Sequence, residues 1–249
     1  MVRRLTLGLL FVIVQAMPSY SHDVAFTECD RQTAYVYDLK RVGDPVPLKD
    51  IKSDSAIPAC LSAISAEQGN NRLVFQLGRS YLAGGKWFSG IQNLRRSAES
   101  GYAAAQLTLG LLYEFGQFGM IKDRKEAAVW YLKAAEQENA RAQFRLASMS
   151  SQDHNKTRAF GWYCRAAENG DADAQASLGI AYLNGTAWSG APSDPGWAVA
   201  WLRKAASQGH KGAQQDLNSI TQRRLDGRGR GNNKCKEVLD CFKSGRVCH

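Results

Sequence analysis

Six cysteines and four histidines are the side chains with which this 249-residue chain could attack, ligate or relay a proton. Three of the cysteines, Cys235, Cys241 and Cys248, lie near the C-terminus beside His249. Three thiols and an imidazole form a zinc-type donor set, but zinc sites are built on closely spaced ligand pairs, and these spacings supply none. Disulfide pairing is the simpler use of the cluster in an oxidising compartment, and it leaves one of the three to reach Cys164 or to stay unpaired. Cys164 follows Tyr163 on the packing side of a helical pattern, where a thiol serves as a small apolar side chain more often than as a nucleophile. His22, His154 and His210 have no Cys, Ser or acid at a useful spacing, and Cys248 and His249 are too close along the chain for joint attack. A Gly-x-Ser-x-Gly elbow, an HExxH pair and a P-loop are all absent, and the Gly-Arg alternation from Gly227 follows no strand. The residues therefore predict no catalytic, metal or cofactor site, and a hydrolase is the least supported class.

The segments that carry these residues differ in kind. Residues 1–21 read as a signal peptide, with Arg3 and Arg4, an apolar run from Leu5 to Val14 and a small exit at Ser19-Tyr20-Ser21. That run is about half the ~20 residues a membrane span needs, so an exported chain, periplasmic or secreted, without a span is expected. Cys29 and Cys60 flank a Pro-punctuated stretch (Pro45, Pro47, Pro58), and pairing them would restrict the unfolded chain by about 3 kcal/mol. The formal charge of +9 is uneven. Residues 22–202 hold 19 basic and 19 acidic side chains, whereas residues 203–249 hold 11 basic against 4 acidic. A basic tail suits an anionic polysaccharide or simply solubility. With Phe242 as the only aromatic among residues 221–249, it lacks the stacking platform of single-strand binders, and no nucleic-acid partner is expected.

Between residues 71 and 220 the sequence repeats. Gly78, Gly110, Ala147 and Gly179 are spaced 32, 37 and 32, and Ala-Gln pairs at 105–106, 142–143, 174–175 and 213–214 keep step. A second pattern interleaves: Trp130-Tyr131, Trp162-Tyr163 and Trp201-Leu202, each three residues before Ala-Ala. In the first pattern Gln106, Leu109, Gly110 and Tyr113 form a stripe at i, i+3, i+4, i+7, so two helices per unit are predicted. Start signals agree: Asp123 with Glu126, Asn155, and Asp194 followed by Pro195. Gly101, Gly170 and Gly209 fit left-handed helix ends.

On these residues, Ala-x-x-x-Leu-Gly-x-x-Tyr and then Ala-x-x-Trp-Tyr-x-x-Ala-Ala, the chain resembles the Sel1-like repeat family, relatives of the tetratricopeptide repeats. The resemblance implies an all-α solenoid of four to five helix-turn-helix repeats over residues 71–220. Around it lie an irregular, disulfide-closed cap at 22–70 and a flexible basic tail at 221–249. Ala147 replaces Gly in the third unit, Ser150 stands where Tyr is usual, and the fourth unit has an enlarged loop carrying Trp188. In such a solenoid the first helix of each pair lines a concave face that takes a protein or peptide partner. Projected onto this chain, that groove holds Arg72, Phe75 and Arg79, then Leu107, Leu111 and Glu114, then Arg141 and Phe144, then Ala176 and Ile180. The same positions would be core in a tightly curled solenoid. Trp87, Trp188 and Trp197 are candidate anchors at its rim. The function this implies is an exported adaptor or regulator of an envelope protein, with a polysaccharide binder acting through the tail and loop tryptophans as the alternative.

Overall fold

The computed structural model describes residues 27–41, 44–185 and 193–222. The proposed signal peptide, Trp188, the tail cysteines and the basic residues from Arg223 onward lie outside the described residues. Every regular element described is helical. A short α1 (Glu28–Thr33), a 3-10 turn (Leu48–Asp50) and α2 (Ser53–Ala66) form the cap. Four helix pairs follow: α3 (Asn71–Ala83) with α4 (Trp87–Glu99), α5 (Ala103–Phe115) with α6 (Arg124–Glu136), α7 (Ala140–Gln152) with α8 (Lys156–Glu168), and α9 (Ala172–Asn184) with α10 (Pro195–Ser207). A half-unit, α11 (Lys211–Gln222), packs on α10. Each helix from α3 to α10 has 13 residues, so the variable spacing in the sequence is absorbed entirely by the loops.

Local chemistry sets the boundaries. Asp123, Asn155 and Asp194 accept backbone N–H bonds at the starts of α6, α8 and α10, with Pro195 at the first position of α10. Gly101, Gly170 and Gly209 lie at φ 88°, 95° and 84°, backbone that a side chain disfavours. Within the cap, α2 is a regular 14-residue helix despite Pro58, whose ring points to solvent while Ala56 and Cys60 are buried against α3. Cys60 is joined to Cys29 by a disulfide, which fastens α1 to α2.

Pairs close through small residues. A Cβ on Gly110 would lie 2.6 Å from the Tyr131 ring, and one on Gly179 would lie 2.6 Å from Leu202. Each glycine therefore admits a large side chain of its partner helix, which burial then stabilises by about 2 kcal/mol. On α6, α8 and α10 a basic residue covers the tryptophan three positions before it in the repeated Trp-Tyr or Trp-Leu pair: Lys133 over Trp130 at 4.1 Å, Arg165 over Trp162 at 5.1 Å and Lys204 over Trp201 at 4.2 Å.

Candidate functional site

Superposing the repeats on Gly78, Gly110, Ala147 and Gly179 brings one stripe of the first helices into register. It reads Arg72, Gln76 and Arg79 on α3; Ala104, Thr108 and Leu111 on α5; Arg141, Arg145 and Ser148 on α7; Asp173, Ser177 and Ile180 on α9. Polar on α3 and half-apolar on α5, the stripe has different partners along its length.

Over α3 and α5 it is covered by the chain itself. Residues 33–41 and 44–48, the strap, leave α1 and turn twice, with Asp38 N donating to Tyr35 O and Arg41 N to Asp38 O. The strap then returns so that Val46 N donates to Ala34 O at 2.8 Å. All three polar residues of α3 hold it and α1. Arg72 pairs with Asp30, and Gln76 Nε2 donates to the same carboxylate at 2.9 Å. Arg79 donates to the carbonyls of Thr33, Ala34 and Val46 and stacks on Tyr35, 4.8 Å from the ring centroid. Tyr35 also meets the Phe75 ring edge-on at 5.5 Å. Further along, Tyr102 donates to Asp38, Asn139 Nδ2 donates to Tyr37 O at 3.0 Å, and Arg141 lies over the Tyr37 ring at 5.2 Å.

The groove projected from sequence is thus corrected at several positions. Arg72, Phe75 and Arg79 are buried, because α1 and the strap occupy the surface they would have offered to another molecule. Leu107 and Ala176 are buried for a simpler reason, packing between helices as core. Glu114 is spent on the stack: it accepts from Tyr131 and from Arg145, whose Nε lies 3.0 Å from Oε2. Leu111, Arg141 and Phe144 are half-buried, and Ile180 is exposed at 42%. At the rim Trp87 is 51% exposed and touches Phe118, while Trp197 packs partly against the core.

Beyond Leu39 the face is open. A cleft of about 400 Å³ lies where Tyr37 and Leu39 meet Asn139, Arg141, Asp171 and Asp173. Arg141 bridges Asp171 and Asp173, and His210 Nε2 sits 3.3 Å from Asp173 while its Nδ1 accepts from Ala213 N. Burial pushes the carboxyls of Asp38 and Asp171 upward and brings the Arg79 guanidinium down to about 10. Among the described residues no three His, Cys, Asp or Glu side chains converge as a metal set. Cys164 is buried and disulfide-bonded, so it is not a free nucleophile. No described helix is long and apolar enough to cross a membrane.

The helix pairs coincide with the Sel1 repeat family, which matches residues 103–139, 140–171 and 172–210. Three Sel1 repeats therefore span residues 103–210 of this chain. A Sel1 repeat protein of Oxalobacter formigenes superposes with a TM-score of 0.60 at 27% identity, covering 79% of this chain and 81% of that one. The antigen c5321 of uropathogenic Escherichia coli, described as displaying an SLR fold, superposes at 0.58 with 30% identity over 78% of this chain and 46% of its own. Among curated relatives, chitin synthase regulatory factor 3 of Schizosaccharomyces pombe is 35% identical over 129 residues, 49% of this Sel1-repeat chain and 14% of that protein. Chitin synthase regulator SKT5 of Malassezia restricta is 33% identical over 134 residues, 51% of this chain and 9% of its own. The match therefore spans well under a fifth of either curated relative.

Two features of the fold were missed in the sequence, although both left a trace. The strap's Tyr-Val-Tyr at 35–37 and Pro-Val-Pro at 45–47 are apolar where a solvated loop would be polar. The recurring Gln at 106, 143 and 175 is too regular for a surface residue, and it proves to be a buried clamp, whereas Gln214 of the last pair is exposed.

Proposed function

We propose that this Sel1-repeat chain is a non-catalytic scaffold whose open concave end, over α7, α9 and α11, binds a segment of another protein. One observation carries the reading: the same face of the stack already holds a polypeptide, its own strap, through donors to main-chain carbonyls and slots for aromatic rings. Arg79 and Asn139 read carbonyls, which are common to any sequence, while Phe75 and Arg141 contact tyrosine rings. Past Leu39 the equivalent positions Ser177 and Ile180 are uncovered, so a partner entering there continues the path the strap begins. The regulator names of the curated relatives favour a protein partner over a small substrate, and an envelope enzyme or sensor is the class we assign. Export is part of the proposal, supported by disulfide-bonded Cys29, Cys60 and Cys164 and by the apolar N-terminal run.

Site-specific photo-cross-linking tests it. A benzoylphenylalanine at Ile180 should capture one defined partner from native cells, and the same group at Val129 on α6, equally exposed, should not. Capture independent of position, or none from Ile180, overturns the groove. Fractionation should find the chain outside the cytoplasm and shortened by its first 21 residues; full-length cytoplasmic chain overturns export.

A further inference from the structure

A second space lies beneath the strap, separate from the open cleft. Between Tyr35 and Pro45–Leu48 on one side and Leu82, Thr108, Leu111 and Phe118 on the other is a cavity of about 470 Å³. A volume of that order takes a small organic molecule, where ~150 Å³ already holds a benzene ring. Its walls are almost wholly apolar. Thr108 offers no free proton, since its hydroxyl donates to Ala104 O at 2.8 Å.

Gln117 is a neutral polar member of the lining, and the charged one is Arg79, 4% exposed. Its partners are three carbonyls, and among the described residues no carboxylate lies within ion-pair distance of it. Carbonyl dipoles solvate a guanidinium but leave its charge standing, with Asp38 favouring that charge from beyond ion-pair distance. Of its five N–H groups, Nε–H and the second on Nη2 have no acceptor among the described residues. Desolvation lowers its pKa to about 10, so it remains a cation at neutral pH in a low-dielectric wall. A full positive charge at the edge of an apolar chamber selects both parts of an amphiphile: hydrocarbon for the volume, one anionic oxygen pair for the planar fork.

We propose that the cavity between the strap and helices α3 and α5 binds a monocarboxylate with a hydrocarbon chain of roughly ten carbons, its head on Arg79 and its tail against Leu82, Leu111 and Phe118. The site shares no residue with the Ile180 end of the groove, and either reading stands if the other fails.

Calorimetric titration of the full chain with decanoate, decanol and decylamine reads the proposal directly. Decanoate should bind one to one, at least tenfold tighter than decanol, and decylamine should not bind. Filling the cavity from α5 with Leu111→Trp, or with Thr108→Phe as an independent variant, should weaken decanoate at least tenfold while the helical circular dichroism is unchanged. Equal binding of decanol and decanoate removes the role of Arg79 and overturns the proposal, as does wild-type affinity in either filled variant. The head-group comparison uses the native protein alone, so it decides the matter even if both variants fail to fold.

Discussion

Gln106, Gln143 and Gln175 occupy the same place in three successive repeats, and each joins three helices. Their Nε2 groups donate to Ala98, Ala135 and Ala167 carbonyls at 3.1, 3.1 and 2.9 Å, near the end of the preceding helix. Their Oε1 atoms accept from Gln137, Asn169 and Gln208 at 2.7, 2.9 and 2.8 Å, beyond the end of the following second helix. A buried amide satisfied on both sides is specific, and removing it strands both partners. Gln143→Leu should therefore lower unfolding free energy by about 1–3 kcal/mol in urea titrations; a neutral result would mean the clamp adds nothing to the stack. Asp38 offers a pH-resolved test. Burial raises its carboxyl pKa, so the protonated form is favoured in the fold; that stability is present below the unfolded pKa and lost as pH rises through the folded one. Asp38→Asn keeps an acceptor for Tyr102 without the buried charge. The variant should be the more stable protein at pH 7, with the gap narrowing toward pH 4. A gap that stays constant would show that the charge of Asp38 costs the fold nothing.

At the scale of the helix, the repeat depends on close approach rather than on side-chain volume. Gly110→Ala would place a methyl 2.6 Å from Tyr131 and 3.3 Å from Ala127 O, and the backbone cannot yield without shifting the α5–α6 pair. Such overpacking should cost about 1–3 kcal/mol, read as a lower melting temperature with helical content retained; a melt at the wild-type temperature would deny the tight approach. Helices, caps and pairing were legible because they rest on contacts a few residues apart: the Gly stripe, Asp123, Asn155, Asp194-Pro195 and the Ala-Ala ends all act within one or two turns. The exposure of the groove was not legible. Whether Arg79 faces solvent is decided by Thr33, Ala34 and Val46, between 33 and 46 residues away, and no periodicity encodes a loop that folds back over a helix. The third unit shows the same limit. Ala147 lacks the glycine's clearance, yet it is fully buried, and Tyr163 leans edge-on against Phe144 at 5.8 Å.

For the molecule as a whole, the strap makes the first repeat's fate depend on a covalent bond. The first unit of any solenoid presents a face with no predecessor to cover it, and here α2 covers one side of α3 while α1 and the strap cover its Arg72, Gln76 and Arg79. Cys29–Cys60, 31 residues apart, ties these pieces together. The closed loop removes unfolded-state entropy worth about 3–4 kcal/mol by the chain-entropy relation. That contribution acts first on the cap, because the polar and cation–ring contacts of the later repeats with the strap rest on Tyr102, Thr108, Asn139 and Arg141. Replacing both cysteines by serine should therefore loosen the molecule from one end. Hydrogen exchange should rise first in residues 28–48 and α2, then in α3, while α7 to α10 keep native protection, as expected of nearest-neighbour coupling along a stack. Uniform loss of protection along the chain would instead mean that cap and repeats fold as a single cooperative unit, with the strap as integral to α9 as it is to α3.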